Sequence, residues 1–186
     1  MKKKFYACVY GGASEKIDDI YKKEIEKLGN IIVENGYSLV YGGGATGCMG
    51  AVATGVRKSG GYIMGISPHF IKEFEEIFDC DNTVMVDTMN ERKTLMEKNA
   101  DIFFIAPGGI GTMDEFFQIL TLKYLRQLKA PIVVLNINGF YDSLLALIKD
   151  LESLNAVTKE VHTFYDVITT VDDEEIVNKL KEIKKI

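Results

Sequence analysis

The sequence is poor in the residues that would staple, metallate or anchor it. Its three cysteines, Cys8, Cys48 and Cys80, are odd in number and show no CxxC spacing. That excludes a disulfide framework and reads as reduced thiols in a cytosolic protein. Its two histidines, His69 and His162, lie far apart with no companion at metal-ligand spacing, so no metal site is expected. Positive charge is in deficit. Lys and Arg number 22 against 27 Asp and Glu, a net charge of −5, and no basic stripe stands out, which argues against a nucleic-acid partner. No stretch approaches the ~20 apolar residues of a membrane span. The opening MKKKFYACVYGG imitates a signal peptide only briefly, because Gly11-Gly12 break its apolar run and Glu15 and Lys16 follow. A soluble, cytoplasmic protein with no membrane partner is expected. With 186 residues, 47% apolar and 26% charged, the chain suits one globular domain over 1–186 and is too apolar for disorder.

What is present is an alternation of short apolar runs with longer helical patterns. Strands are predicted at 5–10, 37–41, 62–67, 83–86, 101–106, 131–136 and 166–171. Between them lie helical patterns over 15–35, 49–60, 88–99, 112–128 and 140–154, with a last helix at the C-terminus and an irregular stretch through 82. The strands are continuously apolar rather than alternating, as in a parallel sheet covered on both faces. The fold class is therefore α/β, a doubly wound Rossmann-like parallel sheet with helices on both faces. Ligands of such sheets bind outside the carboxyl ends of the strands.

Two glycine-rich turns follow strands. In GGGATGCMG (42–50), Gly42, Gly44 and Gly47 satisfy GxGxxG. A dinucleotide site would also want an acid at the end of the next strand, and GISPHF offers none. PGGIGT (107–112) is not a Walker A loop, because no Gly-Lys-Ser/Thr closes it. Both turns offer backbone N–H groups at a helix start, where the partial positive charge favours an anion. Tight strand–helix packing would also require glycine. Two such turns without a ribose-binding acid suit a nucleoside monophosphate better than a dinucleotide.

Charged residues stand beside the turns. Thr112 and Glu115 in TMDE have capping-box spacing, as do Thr88 and Glu91 in TMNERK. Capping alone explains neither Arg92 and Lys93 nor a carboxylate at the mouth of an anion site, so Glu115 is read either as a cap or as a catalytic acid.

Together, GGGATGCMG, MNERK and PGGIGTMDE resemble the Lonely Guy family, the cytokinin riboside 5′-monophosphate phosphoribohydrolases, whose hallmark is PGGxGTxxE with an upstream Arg-Lys pair. The flanking strand–helix pattern extends the likeness over nearly the whole chain. Members have often carried the label lysine decarboxylase, for which no convincing pyridoxal-phosphate lysine context is found. One departure is Asn90, where the family commonly has histidine, and it bears on base preference.

The resemblance implies hydrolysis of a nucleoside 5′-monophosphate at its N-glycosidic bond, giving free base and ribose 5-phosphate. Breaking that bond builds positive charge on the ribose, which a carboxylate stabilises. Glu115 takes that role, and Arg92 is implied to be catalytic as a clamp on phosphate or ribose. Gly108, Gly109, Ile110, Gly111 and Thr112 are expected around the 5′-phosphate, with Lys93 adding charge. Gly43, Gly44 and Thr46 are expected on the other side, and Thr121 is a further candidate. No cofactor is needed, since water and a positioned acid suffice. The resemblance also implies a homodimer, with which the apolar helix after the second turn is compatible. Two alternatives stay open: a nucleotide- or cofactor-binding carrier without turnover, and a nucleosidase of broader base range.

Overall fold

Every interior strand carries apolar side chains on both faces, so the sheet has to be covered twice. The computed structural model describes residues 4–171 and 174–184. In chain order they form β1 (Phe5–Tyr10), α1 (Asp19–Glu34), β2 (Tyr37–Tyr41), α2 (Gly47–Lys58), β3 (Ile63–Pro68), β4 (Asn82–Val86), α3 (Met89–Asn99), β5 (Ile102–Ile105), α4 (Ile110–Tyr124), β6 (Ile132–Leu135), α5 (Asp142–Ser153), β7 (Asp166–Ile168) and α6 (Glu174–Ile183). The sheet is parallel throughout, in the order β4-β3-β2-β1-β5-β6-β7.

Alternate residues of β1 divide the core. Ala7 and Val9 face a layer that includes Ile25, Leu28 and Ile32 of α1, Val52 and Val56 of α2, and Ile176 and Leu180 of α6. Cys8 and Tyr10 face Met96 of α3, Phe116 and Ile119 of α4, and Ile148 of α5. Full burial of side chains of this size contributes roughly 1.5–3 kcal/mol each. The two apolar layers make the sheet the rigid frame on which the strand ends are held. No described helix is long and apolar enough to cross a membrane.

Several boundaries differ from the sequence reading, each for a local reason. Helix α1 begins at Asp19 because the Asp18 carboxylate accepts the Ile20 N–H at 3.2 Å as an N-cap, leaving Ile17 outside. Helix α4 starts two residues before the expected Thr112 and stops at Tyr124 instead of running to 128. Its end is a Schellman turn: Arg126 takes a φ of 59°, and the Gln127 N–H reaches back to the Leu122 carbonyl at 2.8 Å. That position usually belongs to glycine, and an arginine there hides the stop. Strand β7 is only three residues long, half the expected run. The irregular stretch before β4 contains one 3-10 turn, His69–Glu73.

Candidate active site

Chain order reverses direction between β1 and β5, which lie side by side at the middle of the sheet although three strands and three α-helices of the chain separate them. That is the switch point at which open α/β sheets bind ligands. Two loops leave it together, residues 11–14 after β1 and 106–109 after β5. The Gly12 N–H donates to the Pro107 carbonyl at 3.0 Å. A Cβ on Gly12 would sit 3.0 Å from the Gly108 Cα, so the two backbones touch.

Beyond them opens a cleft of about 310 Å³. One wall is the 11–14 loop, and another is the start of α4, with Gly109, Gly111, Thr112 and Glu115. Met89 and Arg92 of α3 and Met49 of α2 close the sides, together with Ile71 and Glu75 from the segment after β3. Helix α4 has Gly109 as its N-cap, with no side-chain cap, and its first backbone bond runs from Met113 N–H to the Gly109 carbonyl at 3.0 Å. The N–H groups of residues 110–112 are therefore left by the helix without an internal acceptor, at the positive end of its dipole.

This start also settles the geometry of TMDE. Thr112 is the third helical residue and Glu115 the sixth, so they form no capping box. The box expected at Thr88 is real: Glu91 N–H donates to Thr88 Oγ1 at 3.1 Å, and Glu91 Oε2 accepts the Thr88 N–H at 3.1 Å. It fixes the first turn of α3 and thereby aims Arg92.

Arg92 and Glu115 are both 6% exposed. Arg92 Nη2 lies 3.7 Å from Glu115 Oε1, too long for a well-formed hydrogen bond. Arg92 Nη1 is 3.8 Å from Met89 Sδ, and its buried Nε has no hydrogen-bond partner among the described residues. A guanidinium with donors left over is prepared for an oxygen-rich ligand. Burial pushes the Glu115 carboxyl up to about 7, with Arg92 pulling the other way and the neighbouring Asp114 and Glu75 adding to the rise. The cleft thus offers donors to an anion at the helix start and carboxylates to a cation deeper in.

The other expected residues lie elsewhere. Lys93 is buried, and its Nζ is bonded to Asp114 of α4 at 2.8 Å; it braces α3 against α4 and does not line the cleft. Gly108 packs under Thr112, where a Cβ would come within 2.1 Å of Oγ1. Ile110 is 88% exposed and points away. Gly43, Gly44 and Thr46 are outside the cleft lining: Gly43 packs beside Gly65 and Ser67, Gly44 lies behind Met49 and Glu75, and Thr46 Oγ1 donates to the Ala13 carbonyl at 2.6 Å. Thr121 faces a separate pocket of about 560 Å³ between α4 and α5, lined without a charged side chain, and donates to the Phe117 carbonyl at 2.7 Å. Asn90 is exposed on a groove along the outer side of α3, away from the cleft. The departure at Asn90 therefore leaves the lining of this cleft unchanged.

Sequence reasoning missed the 11–14 loop, Met49, Ile71, Glu75 and Met89. The Gly11-Gly12 pair directly after a buried strand was the available signal, but it becomes informative only once β1 is known to adjoin β5. Among the described residues no group of three or more His, Cys, Asp and Glu is placed to hold a metal ion.

Comparison with known proteins adds a family. The family model described as "Possible lysine decarboxylase" matches residues 49–180. A Mycobacterium tuberculosis protein named cytokinin riboside 5′-monophosphate phosphoribohydrolase is 35% identical over 168 residues, covering 89% of each chain. A rice protein (Oryza sativa subsp. japonica) named "Probable cytokinin riboside 5′-monophosphate phosphoribohydrolase" is 39% identical over 142 residues, 76% of this chain and 58% of its own length. Among solved structures, the molybdenum cofactor binding protein of Rippkaea orientalis superposes with a TM-score of 0.74 over 99% of both chains at 20% identity, a likeness of fold.

Proposed function

The chain belongs to the Lonely Guy family, and on that premise we propose that it hydrolyses the N-glycosidic bond of a cytokinin-type or adenine nucleoside 5′-monophosphate. The observation that carries this reading is the buried Arg92–Glu115 pair, 3.7 Å apart in a cleft that is also lined by the uncapped start of α4. The N–H groups at the start of α4 take the 5′-phosphate, and Gly109 and Gly111 let it approach the backbone. Arg92 holds phosphate or ribose oxygens with its free donors. The C1′–N bond breaks, its electron pair leaving with the base, and the ribose ring takes up positive charge that the Glu115 carboxylate stabilises. Water then bonds to C1′, and its proton ends on the departing base, giving free base and ribose 5-phosphate. Pairing of two copies belongs to the same reading. Phe117 midway along α4 and Tyr124 and Leu125 at its end, all exposed, offer apolar surface for it.

The label on the family model draws no support from the site, since Lys93 is tied to Asp114 outside the cleft. A cofactor-binding protein can share the fold, as the molybdenum cofactor binding protein of Rippkaea orientalis illustrates. A carrier of anions, however, gains nothing from a buried carboxylate in its cleft.

Base release from AMP and isopentenyl-AMP, by wild type and Glu115→Gln side by side, decides the matter. The variant keeps the shape and removes the charge, so turnover falls on the order of 100- to 1000-fold while AMP binding stays within several-fold. Wild-type protein that binds nucleotide but never releases base is a carrier, and an active Glu115→Gln removes the acid from the mechanism. The pH profile sharpens the test. Activity that needs the carboxylate rises as pH climbs through about 7, and the variant lacks that limb. Stability runs the opposite way. The folded carboxyl titrates above its ordinary 4.5, so its contribution is complete below that value and is lost as pH rises through about 7. Glu115→Gln should therefore raise Tm relative to wild type at pH 8 and not at pH 4.

A further inference from the structure

We infer that Lys93 is a positioning residue for Glu115: bonded to Asp114, it cancels the charge next to the acid and lets Glu115 face substrate as a carboxylate. This rests on the hydrolytic reading above. Helices α3 and α4 meet through three polar contacts in register. Arg92 Nη2 stands 3.7 Å from Glu115 Oε1, and Lys93 Nζ donates to Asp114 Oδ2 at 2.8 Å. One turn on in both helices, Gln118 Nε2 donates to Glu97 Oε1. The two cations are neighbours on one helix, and the two acids they face are neighbours on the other. The buried residues of α3 are Arg92, Lys93 and Met96, so the cations make up most of its buried face.

Bracing two helices does not call for a buried lysine. The Lys93 side chain is 9% exposed and that of Asp114 is 55% exposed, and such a half-wet pair contributes little to stability. An apolar residue at 93 would pack α3 on α4 without burying a charge. What lies beside the pair accounts for the cation. Asp114 immediately precedes Glu115, and neighbouring carboxylates oppose each other's ionisation. Burial is the largest cause that raises the Glu115 carboxyl; Arg92 opposes it, Asp114 adds to it, Lys93 opposes it and Glu75 adds to it. Cys8 and Tyr10 of β1 and Tyr141 also feel the Glu115 charge, but burial pushes their own titrations up and keeps them neutral. Glu97 is a further carboxylate whose charge Lys93 favours. With Lys93 holding Asp114, Arg92 is the cation left to face Glu115 and the substrate.

The experiment follows base release from AMP against pH in wild type, Lys93→Gln, Asp114→Asn and the double variant. Alongside it, NMR of the carboxyl carbons titrates Glu115, identified as the resonance missing in Glu115→Gln, and needs no turnover. Lys93→Gln leaves Asp114 unopposed, and the rising limb moves up by roughly one pH unit. Turnover at pH 6 then falls on the order of 10-fold, while at pH 9 it stays within about twofold of wild type. Asp114→Asn, a change at a half-exposed side chain, moves the limb and the carboxyl titration the other way. The double variant removes both charges and returns toward wild type, which a role in folding alone would not produce. Single variants that move the limb in the same direction, or that lower turnover equally at every pH, overturn the inference and leave Lys93 a brace. If Lys93→Gln does not fold, Asp114→Asn decides alone, and a limb that fails to move down overturns the inference. Displaced NMR titrations in a protein that releases no base remove hydrolysis and leave the effect of Lys93 standing. Base release with an unmoved limb in both single variants does the reverse.

Discussion

The turns at 42–50 and 107–112 look alike in sequence, each glycine-rich and each between a strand and a helix, yet they are built for different ends. In the first, the space beside the glycines is already filled from within. A Cβ on Gly47 would stand 2.5 Å from the Gly12 carbonyl oxygen, and one on Gly50 would stand 2.0 Å from that of Ala45. A Cβ on Gly42 would come within 1.9 Å of Arg92 Nη2, so this glycine makes room for the catalytic candidate rather than for a ligand. In the second turn, Gly109 and Gly111 have nothing within 4 Å of where a Cβ would be, and both line the cleft. The same residue type marks close packing in one turn and an open ligand approach in the other. What separates them is position relative to the switch point between β1 and β5.

That contrast can be broken by exchanging one side chain in each turn. The largest effect is expected at Gly47, which has a φ of +60° and is enclosed by backbone on the 11–14 loop. Gly47→Val adds left-handed strain of about 1–3 kcal/mol to overpacking of about 1–3 kcal/mol. Urea unfolding should therefore show a loss of about 2–6 kcal/mol, and a variant as stable as wild type would mean that the 42–50 turn is not packed in this way. Gly111→Val is the mirror experiment. Its Cβ meets no protein atom within 4 Å and the side chain enters the cleft, so stability should hold or rise by roughly a few tenths of a kcal/mol, since glycine is a poor helix residue. AMP affinity should fall roughly 10- to 100-fold, as for overpacking of a fitted space. Calorimetry showing undiminished AMP binding would move the phosphate away from α4.

The difference between the turns also marks where the sequence stopped being legible. The seven strands, their parallel pairing and the two-faced cover could be read from apolar runs separated by helical spacing, because those signals are local. The ends of α4 could not. Gly109 caps it without a side chain and Arg126 closes it in the left-handed region, so neither end shows its usual residue. Arg92, Glu115, Gly109, Gly111 and Thr112 were found because they sit in a short, specific motif or beside one. Glu75 was not, because it is one acid among several in KEFEE and its burial comes from the distant pairing of Gly44 with Ile77. The 11–14 loop became a wall of the cleft through strand order alone, which no local pattern encodes.

The smallest effect concerns Thr46, which the sequence placed against the substrate and the structure places against the protein. Its hydroxyl donates to the Ala13 carbonyl at 2.6 Å, fastening the 42–50 turn to the loop that walls the cleft. It supplies no cap to α2, for which it is the N-cap residue without a side-chain bond. Thr46→Val keeps the shape and removes that bond. A single hydrogen bond contributes about 0.5–1.5 kcal/mol net. Ala13 is only half-buried, so water can reach its carbonyl and hold the loss near the lower end of that range. Thermal unfolding should show this modest loss, while the Kd for AMP changes by less than about threefold, below what loss of a direct hydrogen bond to a charged group would produce. If Thr46 instead held the phosphate, the order of effects would reverse, with stability unmoved and AMP affinity lowered on the order of tenfold or more. That result would return the first turn to the ligand and erase the distinction between the two.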